Sequence, residues 1–508
     1  MSNIIIIGGG IGGLTTAALL AKSGHQVTVL ESQVYPGGNA GTFFHQGYRF
    51  DAGATLAGGF QPETGPHSLI GEWLDIQWPI RETQPAWVVH LPNHEVVLSK
   101  DRTNLLRNFP QSAAFWDEQT TIADLCWSMA AMGLPFPPTN FSELRRLLKV
   151  GIDYFPGDVR LLRYVFSSVH DWLKRHNLHA DAAFKRFVDA QLLISAQTTS
   201  NSANALYGAT ALDLARQGVQ YVEGGIGGLA ETLVAKIREL GGKVIYKTTV
   251  TRITVENGKV VGIFARQGKR GAELFFPADV VIANLTPWSL DQLLGEFSPG
   301  ILRRKIQGYK PGWGAFVLHL GVDGRKLSPG VADHHQIIPR LDTPLGECNS
   351  IFLSMSPEWD ITRGPEGHRA VTVTTHTAVQ PWWDLLNSDH EAYTERKQRY
   401  TDTIIGHVDG VIPGFKDSLQ LVMPGTPITY HTYTQRHLGM VGGFPQTSLL
   451  NARGPRTGIP NVWLVGDSIF PGQSTAGVTV GAIRVANDIQ RTLAHVKVSP
   501  RKRMSESI

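Results

Sequence analysis

Four consecutive β-branched residues, Ile4 to Ile7, open an uncharged run that lasts to Ala21. A short run of this kind suits a strand buried on both faces of a parallel sheet. Gly8, Gly10 and Gly13 follow directly, and Leu14 to Ala21 continues as a helix that Gly24 ends. Alternation resumes in "QVTVLE", a second strand closing on Glu31. The uncharged run is long enough to suggest a membrane segment. Five glycines interrupt it, however, and Met1-Ser2-Asn3 lacks the basic residue expected before a secretory leader. The pattern predicts strand, tight turn, helix, strand.

The same periodicities recur further on. "YVEGGIGGLAETLVAKIRELGGKVIYKTTVTRITVENGKVVGIFA" predicts a glycine turn and an amphipathic helix with Leu229, Leu233, Ile237 and Leu240 on one face. Gly241-Gly242 stops that helix, and alternating strands follow, joined at the hairpin signal Asn257-Gly258. "ADVVIANLTP" adds a buried strand ending near Asn284, and "IPNVWLVGDSIFPGQSTAGVTVGAIRVANDIQRTL" reads as strand, loop and closing helix. These pieces predict one α/β cofactor domain assembled from 1–75, 215–290 and 455–495, with a basic disordered tail at 496–508.

Two insertions, 76–214 and 291–454, separate the pieces. The first is expected to be a helical, substrate-facing region. In its "FSELRRLLKVGIDYF", Leu144, Leu147, Leu148, Ile152 and Phe155 fall at helical spacing, opposite Arg145, Arg146 and Lys149. That helix is read either as lying on an anionic membrane or as an ordinary surface helix packed on the core. The second insertion alternates like strands in "GWGAFVLHLGV" and "HRAVTVTTHTAV", and predicts a mixed sheet.

Composition sharpens this only in part. With 508 residues and 42% apolar positions the chain can bury a large core of two or more domains, while 18% charged residues is low. The net charge of +4 gives no argument for nucleic acid. Cys126 and Cys348 form no C-x-x-C motif, which leaves two buried thiols as the expectation. No later segment resembles a membrane span, so membrane contact is expected to be peripheral and at the cytoplasmic side. Asp333-His334-His335 is read as an ordinary loop without metal-site spacing.

The chemistry lies at the glycines. Gly8 permits the tight turn, Gly10 lets a pyrophosphate approach the backbone, and Gly13 lets the helix lie close to the strand. Glu31 stands 18 positions after Gly13, where a carboxylate can accept hydrogen bonds from a ribose diol. Gly37-Gly38 allows another close approach. At the far end, Gly466-Asp467 ends a strand where an acid can bind a sugar-alcohol hydroxyl, and Gln473, Ser474 and Thr475 cap a helix whose positive end can face a flavin. An NAD site does not need this distant third piece; FAD does.

With these motifs in view, the chain resembles the glutathione-reductase-type flavoproteins and, within them, the phytoene desaturase and carotenoid isomerase family. Its "LGMVGGFPQTSLLNARGPRTGIPNVWLVGDSIFPGQSTAGVTVGA" is most similar to the cyanobacterial type of carotenoid C-3',4' desaturase. The resemblance implies an FAD-binding Rossmann domain with an inserted α+β substrate domain and a membrane-contacting helical region. It puts Gly8, Gly10 and Gly13 at the pyrophosphate, Glu31 at the adenosine ribose, and Gly37 and Gly38 at the paired glycines that follow. Val250 falls at adenine, Gly466 and Asp467 at the ribityl chain, and Gly477 and Val478 at the isoalloxazine. Where the family often carries a basic residue after the paired glycines, this chain has Asn39. The implied reaction is desaturation of an acyclic or monocyclic hydroxylated carotene, with oxygen or a quinone taking the electrons; the rival is cis–trans isomerisation on the reduced cofactor. Such chemistry needs no catalytic dyad from the protein, and none stands out.

Overall fold

The computed structural model describes residues 1–133, 135–153, 157–268, 270–309 and 312–498; Phe155 and the tail from 499 lie outside them. Strand β1 (Asn3–Ile7), helix α1 (Ile11–Lys22) and strand β2 (Gln26–Leu30) follow the expected order. Ile4 to Ile7 are almost fully buried, because β1 is flanked in a wholly parallel sheet by β2 on one side and Val280–Ala283 on the other. Val462–Leu464 and Lys243–Ile245 complete the two edges. Five strands from three distant parts of the chain thus share one sheet, and their carboxyl ends open on the same side. Ligands of such sheets bind at that side.

Helix Gly228–Glu239 buries Leu229, Leu233 and Ile237 against this sheet. Thr248–Glu256 and Lys259–Gln267 form the hairpin predicted from Asn257-Gly258, whose φ values of 49° and 73° suit a type I′ turn. The closing helix, Ser474–Val498, packs on α1 and runs beyond the expected limit of 495.

The second sheet has seven strands. Leu419–Gly425, Trp313–Asp323, His368–Ala378, Ile351–Met355 and His334–Ile337 come from the second insertion. Trp87–Leu91 and His94–Leu98 come from the first, joined by a parallel pairing of Trp87–Leu91 with His334–Ile337. The first insertion is therefore not helical throughout. Its hairpin lends two strands to the sheet of the second, and its helices from Ala113 to Ala211 pack beside them.

Asp333-His334-His335 departs from the loop expectation. His334 and His335 belong to a strand and are buried, and Asp333 pairs with Arg369. Burial holds both imidazoles neutral, at about 3 and about 4.

Candidate active site

A single continuous cavity of about 1150 Å³ runs from the carboxyl ends of the parallel strands, under the seven-stranded sheet, to the helices of the first insertion. This exceeds the volume of an ordinary small-molecule pocket. At one end the wall is Gly8, Gly10, Gly12, Glu31, Gly37, Gly38 and Val250, joined by Gly466, Asp467, Gly477 and Val478 from the last piece. The structure brings ten of the eleven sequence-predicted residues together there; Gly13 is the exception. Gly13 does not border the cavity: a Cβ on it would stand 2.6 Å from the Gly8 carbonyl oxygen. Its role is to let α1 lie against the turn, the part its spacing assigns to it, so only the pyrophosphate placement implied by the resemblance is corrected.

The turn is held by the carboxylate that follows it. Gly9 N–H donates to Glu31 Oε2 at 2.7 Å, and Gln33 N–H donates to Glu31 Oε1 at 2.7 Å. Gly10, the N-cap of α1, offers no side-chain cap, and the first turn of the helix contains no acidic residue. Its free amides and positive dipole end are therefore available to an anion. Gly466 adopts φ +96°, and a Cβ on Gly12 would lie 3.0 Å from its Cα, so Asp467 stands beside the start of α1. In the closing helix, Ser474 Oγ accepts the Gly477 N–H at 3.1 Å, as a cap should.

Unpartnered polar atoms test whether a dinucleotide fits. The buried side-chain oxygens Asn39 Oδ1, Gln197 Oε1 and Gln473 Oε1 have no hydrogen-bond partner, and all three residues border the cavity. A protein rarely leaves such acceptors dry. Adenine and isoalloxazine both bring N–H donors, and the glycine-walled end offers space that a side chain would fill. The residues fit FAD.

Beyond the carboxy-terminal helix start the lining turns apolar, with Trp127, Phe136, Leu147, Leu162, Tyr207 and Phe470. Its roof is one face of the seven-stranded sheet. Phe352 stands opposite Thr374, and two residues along, His376 stands opposite Ala315; all four border the cavity. His376 is the one imidazole among the described lining residues, and burial lowers it to about 4. Cys348 is buried as expected, but Cys126 borders the cavity; burial pushes both thiols up to about 12, so neither is a ready nucleophile. Among the described residues, no three His, Cys, Asp or Glu side chains could together hold a metal ion.

The sequence reading missed the contribution of the second insertion to the cofactor end. Tyr433, Thr434, Gln435 and Arg436 border it, and Arg436 Nη2 lies 2.8 Å from Asp467 Oδ2. The sequence left helix Phe141–Asp153 open between a membrane-lying and a core-packed reading; among its described side chains the apolar face is largely uncovered. Phe141 is 81% exposed and Leu148 61%, whereas Leu147 reaches the cavity. On the next helix, Gly157–Val165, Leu162 is exposed and lines the cavity at once, and Phe166 just beyond it is exposed.

A parallel sheet opening on a glycine turn, with a second sheet roofing an apolar chamber, defines an FAD-dependent oxidoreductase. Residues 11–490 match the family of flavin-containing amine oxidoreductases, and the chain belongs to it. Prolycopene isomerase 2 of an Oncidium hybrid is 30% identical, with 98% of this chain and 85% of that protein aligned. The lycopene-forming phytoene desaturase of a Paracoccus species is 24% identical, over 96% of this chain and 97% of that one. Among solved structures, an oxidoreductase from Methanosarcina mazei shares the fold with a TM-score of 0.65 and 17% identity, covering 96% of this chain and all of that one.

Proposed function

We propose that the chain is an FAD-dependent carotenoid desaturase that introduces a C-3',4' double bond into an acyclic or monocyclic hydroxylated carotene. The observation that carries this reading is the apolar arm, which leads from the cofactor end to exposed apolar helices and admits a long lipophilic substrate. The names of the relatives, an isomerase and a desaturase of carotenes, support the substrate class.

Gly8, Gly10, Gly37, Gly38, Glu31 and Val250 would hold the adenosine diphosphate half, Gly466 and Asp467 the ribityl chain, and Gly477 and Val478 the ring system. Bound FAD supplies the hydride acceptor. The protein positions the polyene in a dry channel, so that with FAD bound hydride would leave one carbon, the neutral imidazole of His376 would take the proton of its neighbour, and the new double bond would form. Oxygen or a quinone would serve as the electron acceptor. Phe141, Leu144, Leu148 and Leu162, with the exposed Arg145 and Lys149 beside them, would seat the entrance on an anionic membrane, giving a peripheral protein on the cytoplasmic side. Among the described residues no helix is long and apolar enough to cross a bilayer.

The second reading is a cis–trans isomerase using reduced FAD, favoured by the 30% identity to prolycopene isomerase 2. An anaerobic mixture separates the two. Holoenzyme with oxidised FAD is given a 1'-hydroxylated monocyclic carotene in liposomes, and flavin and polyene absorption are followed together. Flavin bleaching in step with a red-shifted polyene is the desaturase result. A polyene shift only after pre-reduction of the flavin, with no net electron transfer, means isomerisation and refutes the first reading.

A further inference from the structure

The cofactor end of the cavity is closed by chain from the second insertion. Helix Pro427–Thr434 enters over the Ala52–Gly53 turn, where Tyr430 Oη donates to the Ala52 carbonyl at 2.9 Å. Its last turn is fastened at two opposite places. Gln33, just past Glu31, donates its side-chain N–H to the Tyr433 carbonyl at 2.7 Å. Ser289, beyond the Val280–Ala283 strand, donates to the Gln435 carbonyl at 3.1 Å. The segment 433–436 therefore spans from the ribose-side acid to the strand end that bears Asn284, across the mouth of the glycine turn.

Arg436 sits at the end of this strap. Its Nε–H donates to the Met440 carbonyl at 2.6 Å, which fixes the guanidinium, and its Nη2 reaches Asp467. Only two cations line the cavity among the described residues, Arg436 and Arg484. Arg484 is committed elsewhere: it donates to the Phe136 and Pro137 carbonyls and lies near Glu143. At the nucleotide end the carboxylates of Glu31 and Asp467 would thus meet a dianionic pyrophosphate with one guanidinium among them. The position after the paired glycines, where a cation could stand, holds Asn39, whose Oδ1 is unpartnered.

We propose that Arg436 is the cation that binds the FAD pyrophosphate, and that the 433–436 segment straps the adenosine half of the cofactor in place. A guanidinium suits this role because its fork can hold a phosphate oxygen and the Asp467 carboxylate together. The inference concerns the cofactor alone and stands whichever polyene reaction the enzyme performs.

The test is binding. Flavin-stripped wild-type protein, Arg436→Met, Arg436→Lys and the double variant Arg436→Met/Asp467→Asn are titrated with FAD, ADP and riboflavin, with thermal unfolding as the check on folding. Loss of one charge-assisted contact is expected to weaken FAD and ADP about 10- to 100-fold in Arg436→Met and to leave riboflavin unchanged. Arg436→Lys keeps the charge and should retain part of that affinity. The double variant should stay weak, because the phosphate contact is still missing. Three results overturn the proposal: wild-type FAD affinity in Arg436→Met, riboflavin weakened as much as ADP, or recovery in the double variant. The last would mean that Arg436 only neutralises Asp467.

Discussion

Replacing Glu31 by alanine tests the central claim about the glycine turn. The carboxylate accepts the Gly9 amide on one oxygen, and the Gln33 amide and Ser32 hydroxyl on the other, so it ties the turn to the end of β2. Removing it leaves the buried Gly9 N–H without a partner, at a cost of about 1–3 kcal/mol. The Gln33 amide is half-buried and recovers water, so it adds less. Taking about 2 kcal/mol as the loss of a preformed turn and of the ribose contact, FAD affinity should fall roughly 30-fold. Glu31→Gln retains one acceptor oxygen and should fall between the two. The assay is titration of flavin-stripped protein, following the quenching of FAD fluorescence. Wild-type affinity in Glu31→Ala, or an equal loss for riboflavin, which has no adenosine, would refute the reasoning.

Four further outcomes are expected. Gly37→Ala places a Cβ 2.5 Å from the Ala40 carbonyl oxygen at φ +111°, a strain of about 1–3 kcal/mol; flavin content after purification should drop, and an undiminished content counts against it. His67 and His319 are held neutral by burial at about 3, against about 6.5 when unfolded. Between those values the unfolded chain binds more protons, so stability is complete above about pH 6.5 and declines on acidification by about 1.4 kcal/mol per pH unit for each histidine. A melting temperature that does not change from pH 7.5 to 4.5 would contradict this. His376→Gln should slow polyene-dependent flavin bleaching while FAD affinity stays as it was, and an unchanged single-turnover rate removes the imidazole from the reaction. Phe141→Glu with Leu148→Glu, neither of which lines the cavity, should lower co-sedimentation with phosphatidylserine vesicles roughly tenfold or more, since each apolar side chain is worth about 1.5–3 kcal/mol when buried; equal binding would assign that face to something other than lipid.

Much of the cofactor end was legible because its signals are local. Ile4 to Glu31 spells strand, turn, helix, strand and acid within one stretch, and Asn257-Gly258 marks its hairpin without help from elsewhere. Gly466 and Asp467 were readable for the same reason. The strap was not: the pairing of Gln33 with Tyr433 joins residues 400 positions apart, and nothing in "TYTQRHLG" distinguishes a cofactor contact from a surface turn. Gly13 was legible too, since its spacing already reads as the glycine that lets the helix lie close to the strand; only the family resemblance put it at the phosphate, and packing tells which glycines face the ligand. The apolar stripe of Phe141–Asp153 was visible, but periodicity does not reveal whether a stripe meets the core or remains open. His334 and His335 read as loop because two histidines after an aspartate look polar; neutral and buried, they serve as strand residues.

The parallel pairing of Trp87–Leu91 with His334–Ile337 bears on how the chain must be made. The amino-terminal hairpin leaves the ribosome about 240 residues before the strand that covers its edge. At ordinary synthesis rates of about 5–20 residues per second, that edge waits roughly 12–50 s. Throughout this time the edge groups of Trp87–Leu91 are unpaired and its apolar side chains have no sheet to join, a template for pairing with another chain. Premature termination anywhere in the interval would release a polypeptide with this edge permanently open, prone to aggregate and a natural client for chaperones.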